Sequence, residues 1–69
     1  MVRINLSTLL GKKKWSQTDL SRETGIRFNT ISDLYYEMSI SVKFENLEKI
    51  CIALDCKIEE LIEIVPNKK

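Results

Sequence analysis

Two cysteines and no histidine limit the chemistry that this 69-residue chain can perform. Cys51 and Cys56 are five positions apart, which is too close for a disulfide if one helix continues through both residues. A structural zinc site needs four ligands, and the sequence has no histidine or further cysteine to complete the set. We therefore interpret the two thiols as small side chains in or near the core, and we expect no metal site.

Catalytic and nucleotide-binding motifs are also missing from the sequence. Without histidine the chain lacks the commonest general base, and it has no Ser/His/Asp set. Gly11 and Gly25 are too isolated to form a phosphate-binding loop. Glu59, Glu60 and Glu63 belong to a helix whose other side is apolar, so they are interpreted as a solvated face. The sequence predicts a protein that is not an enzyme and needs no cofactor or small-molecule ligand.

Length and composition indicate one folded domain over residues 1–69. The chain is 43% hydrophobic and 30% charged, which is typical of a folded protein and not of a disordered tail. A domain this short buries only about 60% of its unfolded surface, so its stability margin is small. The sequence lacks a signal peptide and has no run near the roughly 18 apolar residues of a membrane span. We expect a cytoplasmic protein that does not contact the membrane.

Residues 16–36 have the spacing of two short helices joined by a tight turn. Steeply crossing helices need a small side chain at the crossing, a residue that tolerates the left-handed conformation in the turn, and apolar inner faces. Six positions meet these needs: apolar Leu20, Ile26, Ile31 and Leu34, small Ser21, and Gly25. The spacing predicts a helix-turn-helix, in which a side chain at position 25 causes both left-handed strain and crowding.

The flanking sequence predicts three further helices. A first helix over 6–13 is capped by Asn5, and Trp15 then fills the core. Ser16 and Asp19 form a capping box on the second helix, which ends near Thr24. The third starts near Phe28, and a loop over 37–42 follows. The fourth runs from Phe44 to Leu54, and the fifth stops before Pro66. The predicted inner residues of these last two helices are Phe44, Leu47, Ile50, Cys51 and Leu54, then Ile58, Leu61 and Ile62.

Several apolar residues lie outside these helix faces. Val2 and Ile4 near one end, with Ile62, Ile64 and Val65 near the other, suggest a short antiparallel ribbon of the two chain ends. Ile52 is off the apolar stripe of its helix, and Ile64 is similarly unplaced. A homodimer interface in the C-terminal part of the chain is the competing explanation for these apolar residues. The sequence does not decide between the ribbon and the dimer.

Charge is divided unequally along the chain. Residues 1–30 carry six basic and two acidic groups, whereas residues 31–69 carry five basic and eight acidic groups. The net charge is therefore +4 in the first part and −3 in the second, although the whole chain is only +1. The positive part contains most of the helix-turn-helix, which favours an anionic partner there; ordinary solvated faces are the alternative.

Short motifs follow one another in a characteristic order: Trp15-Ser16-Gln17, Leu20-Ser21, Gly25-Ile26, Asn29-Thr30-Ile31-Ser32 with Leu34, and Leu47-Glu48-Lys49-Ile50-Cys51 with Ala53-Leu54. Together they resemble the lambda-repressor-like, or Xre-type, helix-turn-helix family over nearly the whole chain. The resemblance implies an all-α, five-helix DNA-binding domain in which the second and third helices bind DNA. Tyr36-Glu37 stands where the family often has Asn-Gly, so we expect a longer helix or a looser loop there, without a tight left-handed turn.

The resemblance implies that the third helix enters the major groove of double-stranded DNA. Arg27 then suits guanine, Asn29 adenine and Asp33 cytosine, while Phe28 or the Thr30 methyl suits the methyl group of thymine. In one alternative Phe28 folds back onto the second helix, so that only Asn29 and Thr30 face outward. The expected phosphate contacts are Gln17, Lys14, Tyr36, Ser41 and Lys43.

We expect a small transcriptional regulator, most simply a repressor, that acts as a homodimer. The alternative is a protein-interaction module that keeps the fold but has weak or no DNA binding, such as an antirepressor or an antitoxin-like partner. Two features support this alternative. The third helix carries few cations, and both Phe28 and Tyr36 can be exposed on its surface.

Overall fold

The computed structural model describes residues 1–38 and 41–66, and it has five helices and one two-stranded sheet in this part of the chain. The elements in order are β1 (Val2–Ile4), α1 (Leu6–Lys13), α2 (Gln17–Thr24), α3 (Phe28–Tyr35), α4 (Phe44–Leu54), α5 (Ile58–Leu61) and β2 (Ile62–Ile64). The predicted five-helix fold with a terminal ribbon is confirmed. None of the described helices is long and apolar enough to span a membrane.

One apolar core joins all five helices. Its buried members in the described residues are Leu6, Leu9, Leu10, Leu20, Ile26, Ile31, Leu34, Ile50, Leu54 and Leu61. The four apolar positions of the predicted helix-turn-helix are all among them. Trp15 is half-buried and packs against this core, with the Lys13 ammonium 5.0 Å from its ring centroid. The core thus holds α3 through Ile31 and Leu34 and leaves the opposite face of that helix free.

The two chain ends pair as an antiparallel ribbon. Val2 is opposite Ile64, Arg3 opposite Glu63, and Ile4 opposite Ile62. Because side chains alternate along a strand, the four apolar residues share one face and the Arg3–Glu63 pair takes the other. Ile4 and Ile62 pack on the core, whereas Ile64 is 80% exposed.

The fifth helix is shorter than its apolar pattern predicts. α5 is a single turn in which Leu61 is buried and Ile58 is exposed. Ile62 has extended backbone and belongs to β2, so its placement on a helix face and the burial of Ile58 were wrong. The cause is tertiary, since pairing with β1 gives residues 62–64 backbone partners that end the helix early.

Asn5 joins the first helix to the ribbon and does not cap the helix with its side chain. Its Nδ2 group donates to Oε1 of Glu63 at 2.7 Å, and its backbone N–H donates to the Leu61 carbonyl at 2.7 Å. The side chain makes no cap hydrogen bond to α1. Asn5 thus occupies the predicted N-cap position, but the predicted cap by its side chain was wrong, because the amide binds Glu63 instead.

The end of α3 is a tight left-handed turn, contrary to the prediction from Tyr36-Glu37. Glu37 has φ 56°, its N–H donates to the Leu34 carbonyl, and the N–H of Met38 donates to the Asp33 carbonyl at 2.8 Å. The Glu37 Oε1 atom also accepts from the backbone N–H of Ile4 at 3.1 Å. These bonds offset the left-handed cost of about 1–2 kcal/mol. Part of the predicted loop, at residues 39 and 40, lies outside the described residues, as do 67–69.

α4 has the predicted bounds, but its packed stripe begins one turn later than predicted. Ile50 and Leu54 are buried, and Leu47 and Cys51 pack against the core. Phe44 is 87% exposed, so its burial was predicted wrongly. The helical period places Phe44 near the stripe, but the core does not extend to the first residue of the helix.

Gly25 provides a first test of this fold. It has φ 76°, but a Cβ built there meets no heavy atom within 4 Å, so the expected crowding is absent and only backbone strain remains. We expect Gly25→Ala to lower the free energy of unfolding by about 1–2 kcal/mol. Gly11→Ala is the matched control, because this helical glycine also has open space around it; that change should stabilise by about 0.5–1 kcal/mol. Equal urea midpoints for the two variants would contradict the turn assignment.

The predicted capping box on α2 is present and makes stability depend on pH. The Ser16 N–H donates to the Asp19 carboxylate at 2.9 Å, and Arg22 donates to it at 2.8 Å. These contacts, that of Ser16 first, lower the pKa of Asp19 below its usual 3.8. The stabilisation is therefore fully present well above the unfolded-state pKa of 3.8 and is lost as the pH falls through the lower folded-state pKa.

We expect wild type to be more stable than Asp19→Asn at neutral pH, with the difference shrinking as the solution is acidified. Urea unfolding of both proteins across the acid range measures this difference. A difference that stays constant with pH would show that the Asp19 charge does not contribute through the cap.

Candidate nucleic-acid interface

The turn between α2 and α3 is held by side-chain hydrogen bonds to the backbone. The Ser21 hydroxyl donates to the Ile26 carbonyl at 2.6 Å, and the Thr24 hydroxyl donates to the Leu20 carbonyl at 2.7 Å. Thr24 Oγ1 also accepts from the Ile26 N–H at 3.2 Å. With Ile26 itself buried, these bonds fix the angle at which α3 leaves the turn, and so they position every side chain on its outer face.

The first turn of α3 presents three of the predicted base-reading residues to solvent. Arg27, Phe28 and Asn29 are all exposed. Arg27 occupies the N-cap position, where its guanidinium has no acceptor atom to cap the helix N–H groups, so its donors are available to a ligand. Phe28 is 47% exposed, which does not support the alternative that it folds away onto α2. This turn can offer two hydrogen-bonding groups and one apolar ring to a ligand.

Two further base-reading candidates share a groove with two phosphate candidates. Thr30 and Asp33 of α3 face Ser41 and Lys43, which precede α4, across an open cavity of about 290 Å³. Leu34 and Val42 contribute the apolar part of its lining. The groove is polar and shallow, which suits contact with a polar backbone or base edge more than burial of an apolar ligand.

Asn46 is a groove residue that sequence reasoning missed. It is half-buried in the first turn of α4 and lines the same cavity as Thr30 and Asp33. Its amide carries both donors and an acceptor, so it can bind a phosphate or a base edge. Its polarity at the start of an otherwise amphipathic helix was the available signal, but only the packing of α4 against the motif shows that it borders α3.

The remaining phosphate candidates lie on three different elements. Gln17 begins α2 and is half-buried, and its buried Oε1 atom has no hydrogen-bond partner among the described residues. Its amide nitrogen provides the donors that a phosphate oxygen needs. Lys14 is exposed just after α1, with φ 59°, and Tyr36 is exposed just after α3, with its ring edge-on to Tyr35 at 4.9 Å. The groove does not include these three residues.

The electrostatics of this surface are mixed. Asp33 and Lys43 border the same groove, and neither is in an ion pair in the part of the chain that the structure describes. Arg22, by contrast, is paired with Asp19, and Lys49 is 3.7 Å from Glu45 on α4. Arg27 and Lys43 are therefore two cations beside the outer face of α3 that these pairs leave free.

Comparisons with known proteins identify the family of this chain. A family model described as the Cro/C1-type HTH DNA-binding domain matches residues 5–67. The chain is also 35% identical over 60 residues to the uncharacterized HTH-type transcriptional regulator YozG of Bacillus subtilis (strain 168), an alignment that covers 87% of this chain and 71% of the relative. No solved structure gives a significant match.

Proposed function

Because the chain belongs to the Cro/C1-type helix-turn-helix DNA-binding family, we propose that it binds double-stranded DNA sequence-specifically and represses transcription in the cytoplasm. The observation that carries the proposal is the exposed first turn of α3, where the polar side chains of Arg27 and Asn29 face solvent beside the Phe28 ring. We propose that residues 1–69 act as one domain with its helix-turn-helix at 16–36.

Base reading rests on the chemistry of these side chains. Arg27 has the fork geometry for the two acceptors of guanine, and Asn29 matches the donor and acceptor of adenine. Asp33 accepts from cytosine, and Phe28 or Thr30 contacts the thymine methyl group. The left-handed turn at Gly25 and the bonds of Ser21 and Thr24 hold this set rigidly, which lowers the entropy lost on binding.

Phosphate binding fixes the register of α3 on the duplex. We assign this task to Lys43 and Ser41 at the groove, to Gln17 at the start of α2, and to Lys14 and Tyr36 as outer contacts. Asn46 joins them because it borders the same groove. These contacts are independent of base sequence, so they supply affinity and not preference.

Substitutions separate the two kinds of contact. Arg27→Ala and Asn29→Ala should each weaken binding to the preferred site by about 1–3 kcal/mol and relax the preference at one base pair. Lys14→Ala should weaken binding to all duplex sequences by the same factor. Lys57 is an exposed cation at the start of α5, so Lys57→Ala is the charge-matched control. It should change neither the affinity for DNA nor the sequence preference. Binding to selected and random duplexes measures both.

The preferred DNA site is identified by selecting genomic fragments that bind the wild-type protein and sequencing them. If folded Arg27→Ala and Asn29→Ala both select the same sequences as wild type, α3 does not read the bases.

A protein-interaction module is the second candidate function, and one observation favours it. Phe44 is 87% exposed at the start of α4, and Phe28 and Tyr36 are also exposed on the neighbouring elements, whereas few cations lie there. A salt titration with random duplex separates the two candidates, because DNA binding should weaken linearly in log affinity against log salt. Absence of binding at low salt would favour the interaction module.

We further propose that the protein acts as a homodimer through α4. The terminal ribbon forms but does not bury all of the apolar residues outside the helix faces, since Ile52 is 72% exposed and Ile64 is 80% exposed. One helix-turn-helix reads few base pairs, and two-fold symmetry with recognition helices about 34 Å apart doubles the contact.

Ile52→Lys tests this interface. Two symmetry-related lysines would be buried, so the variant should shift strongly toward monomer in sedimentation equilibrium while its far-ultraviolet helix signal is unchanged. Ser7→Lys, at an exposed position of α1, is the control and should leave the association unchanged. A wild-type protein that is monomeric at tens of micromolar would contradict the dimer and leave pairing on DNA as the symmetric route.

A further inference from the structure

The two cysteines meet at the end of α4. The helix ends at Leu54, Asp55 adopts φ 52°, and the N–H of Cys56 turns back to the carbonyl of Cys51 at 3.0 Å. The N–H of Asp55 donates to the Ile52 carbonyl at 3.2 Å. These two bonds are the pattern of a Schellman motif. One helix therefore does not run through both cysteines, and their spacing does not prevent a disulfide.

The Schellman motif brings the two side chains together. It characteristically puts the residue after the left-handed position in contact with the third residue from the helix end, and here those residues are Cys56 and Cys51. Standard backbone dimensions with the 3.0 Å bond place their Cα atoms at most about 7 Å apart, at the upper limit for a disulfide. Both residues are half-buried, so reagents can reach them.

We propose that Cys51 and Cys56 form a redox modification site, at which a low-molecular-weight disulfide converts the two thiols into an intramolecular disulfide. The Cys51 thiolate attacks one sulfur of the reagent and releases one thiolate. The Cys56 sulfur then loses its proton, attacks Sγ of Cys51 and releases the second thiolate. The protein loses two electrons and two protons, and the reagent is reduced to two thiols.

The surroundings assign the two roles. Burial, and then the neighbouring Cys51, raise the pKa of Cys56 to about 11, so its thiolate is scarce at neutral pH. Cys51 is therefore the attacking group and Cys56 the resolving group. Neither residue belongs to the helix-turn-helix at 16–36, so this site stands independently of the proposed DNA binding.

Equilibration of the reduced full chain in buffers of oxidised and reduced glutathione tests the site. Intact mass should show a loss of two hydrogens, and both thiols should resist alkylation. Cys56→Ser should retain a glutathione adduct on Cys51, and Cys51→Ser should acquire its adduct on Cys56 more slowly. A wild-type protein that keeps glutathione adducts, or two alkylatable thiols in excess oxidised glutathione, would overturn the proposal.

The same titration in denaturing urea provides a test that needs no variant. Cysteines five apart can also close a ring in an unfolded chain, so the folded protein should be more oxidised than the unfolded chain at the same glutathione ratio. A folded protein that is less oxidised would mean that the Schellman geometry resists the bond.

Discussion

The hydrogen bond from Ser21 to the Ile26 carbonyl, together with the left-handed backbone of Gly25, sets the angle between α2 and α3. Everything proposed for the outer face of α3 depends on that angle. Ile26, Ile31 and Leu34 are buried because the turn directs them inward, and the same rotation leaves Arg27 and Asn29 outward. A site built on two short helices gains its rigidity from this turn, since neither helix has the length to be stable alone.

Local features of the fold were predictable because they depend on neighbours in sequence. The Ser16–Asp19 capping box and the end of α2 at Gly25 follow from residue type and spacing, and so does the burial of Leu20, Ile31 and Leu34. The features that were predicted wrongly depend on partners distant in sequence. Glu37 is held in a left-handed turn by contact with Ile4, and Asn5 is drawn to Glu63. Sequence spacing contains no information on either pairing.

Periodicity indicates which face of a helix is apolar but not where the core ends. Phe44 and Ile58 fit the pattern of buried residues and are exposed because they lie beyond the packed region. The same limit applies to the candidate site. The composition of α3 suggested its outward residues, whereas Asn46 could be recognised only once α4 lay beside α3 around the groove. The Cys51–Cys56 contact likewise required the chain reversal at Asp55.

DNA contact with the outer face of α3 and the groove beside it is the step on which the proposed function depends. Amide resonances followed by nuclear magnetic resonance during titration with a selected duplex test it most directly. The shifts should be concentrated at residues 27–30, at Asp33 and at Lys43 to Asn46, with a smaller, sequence-independent set on random duplex. Shifts confined to α5 and the ribbon, or no shifts at low salt, would contradict it.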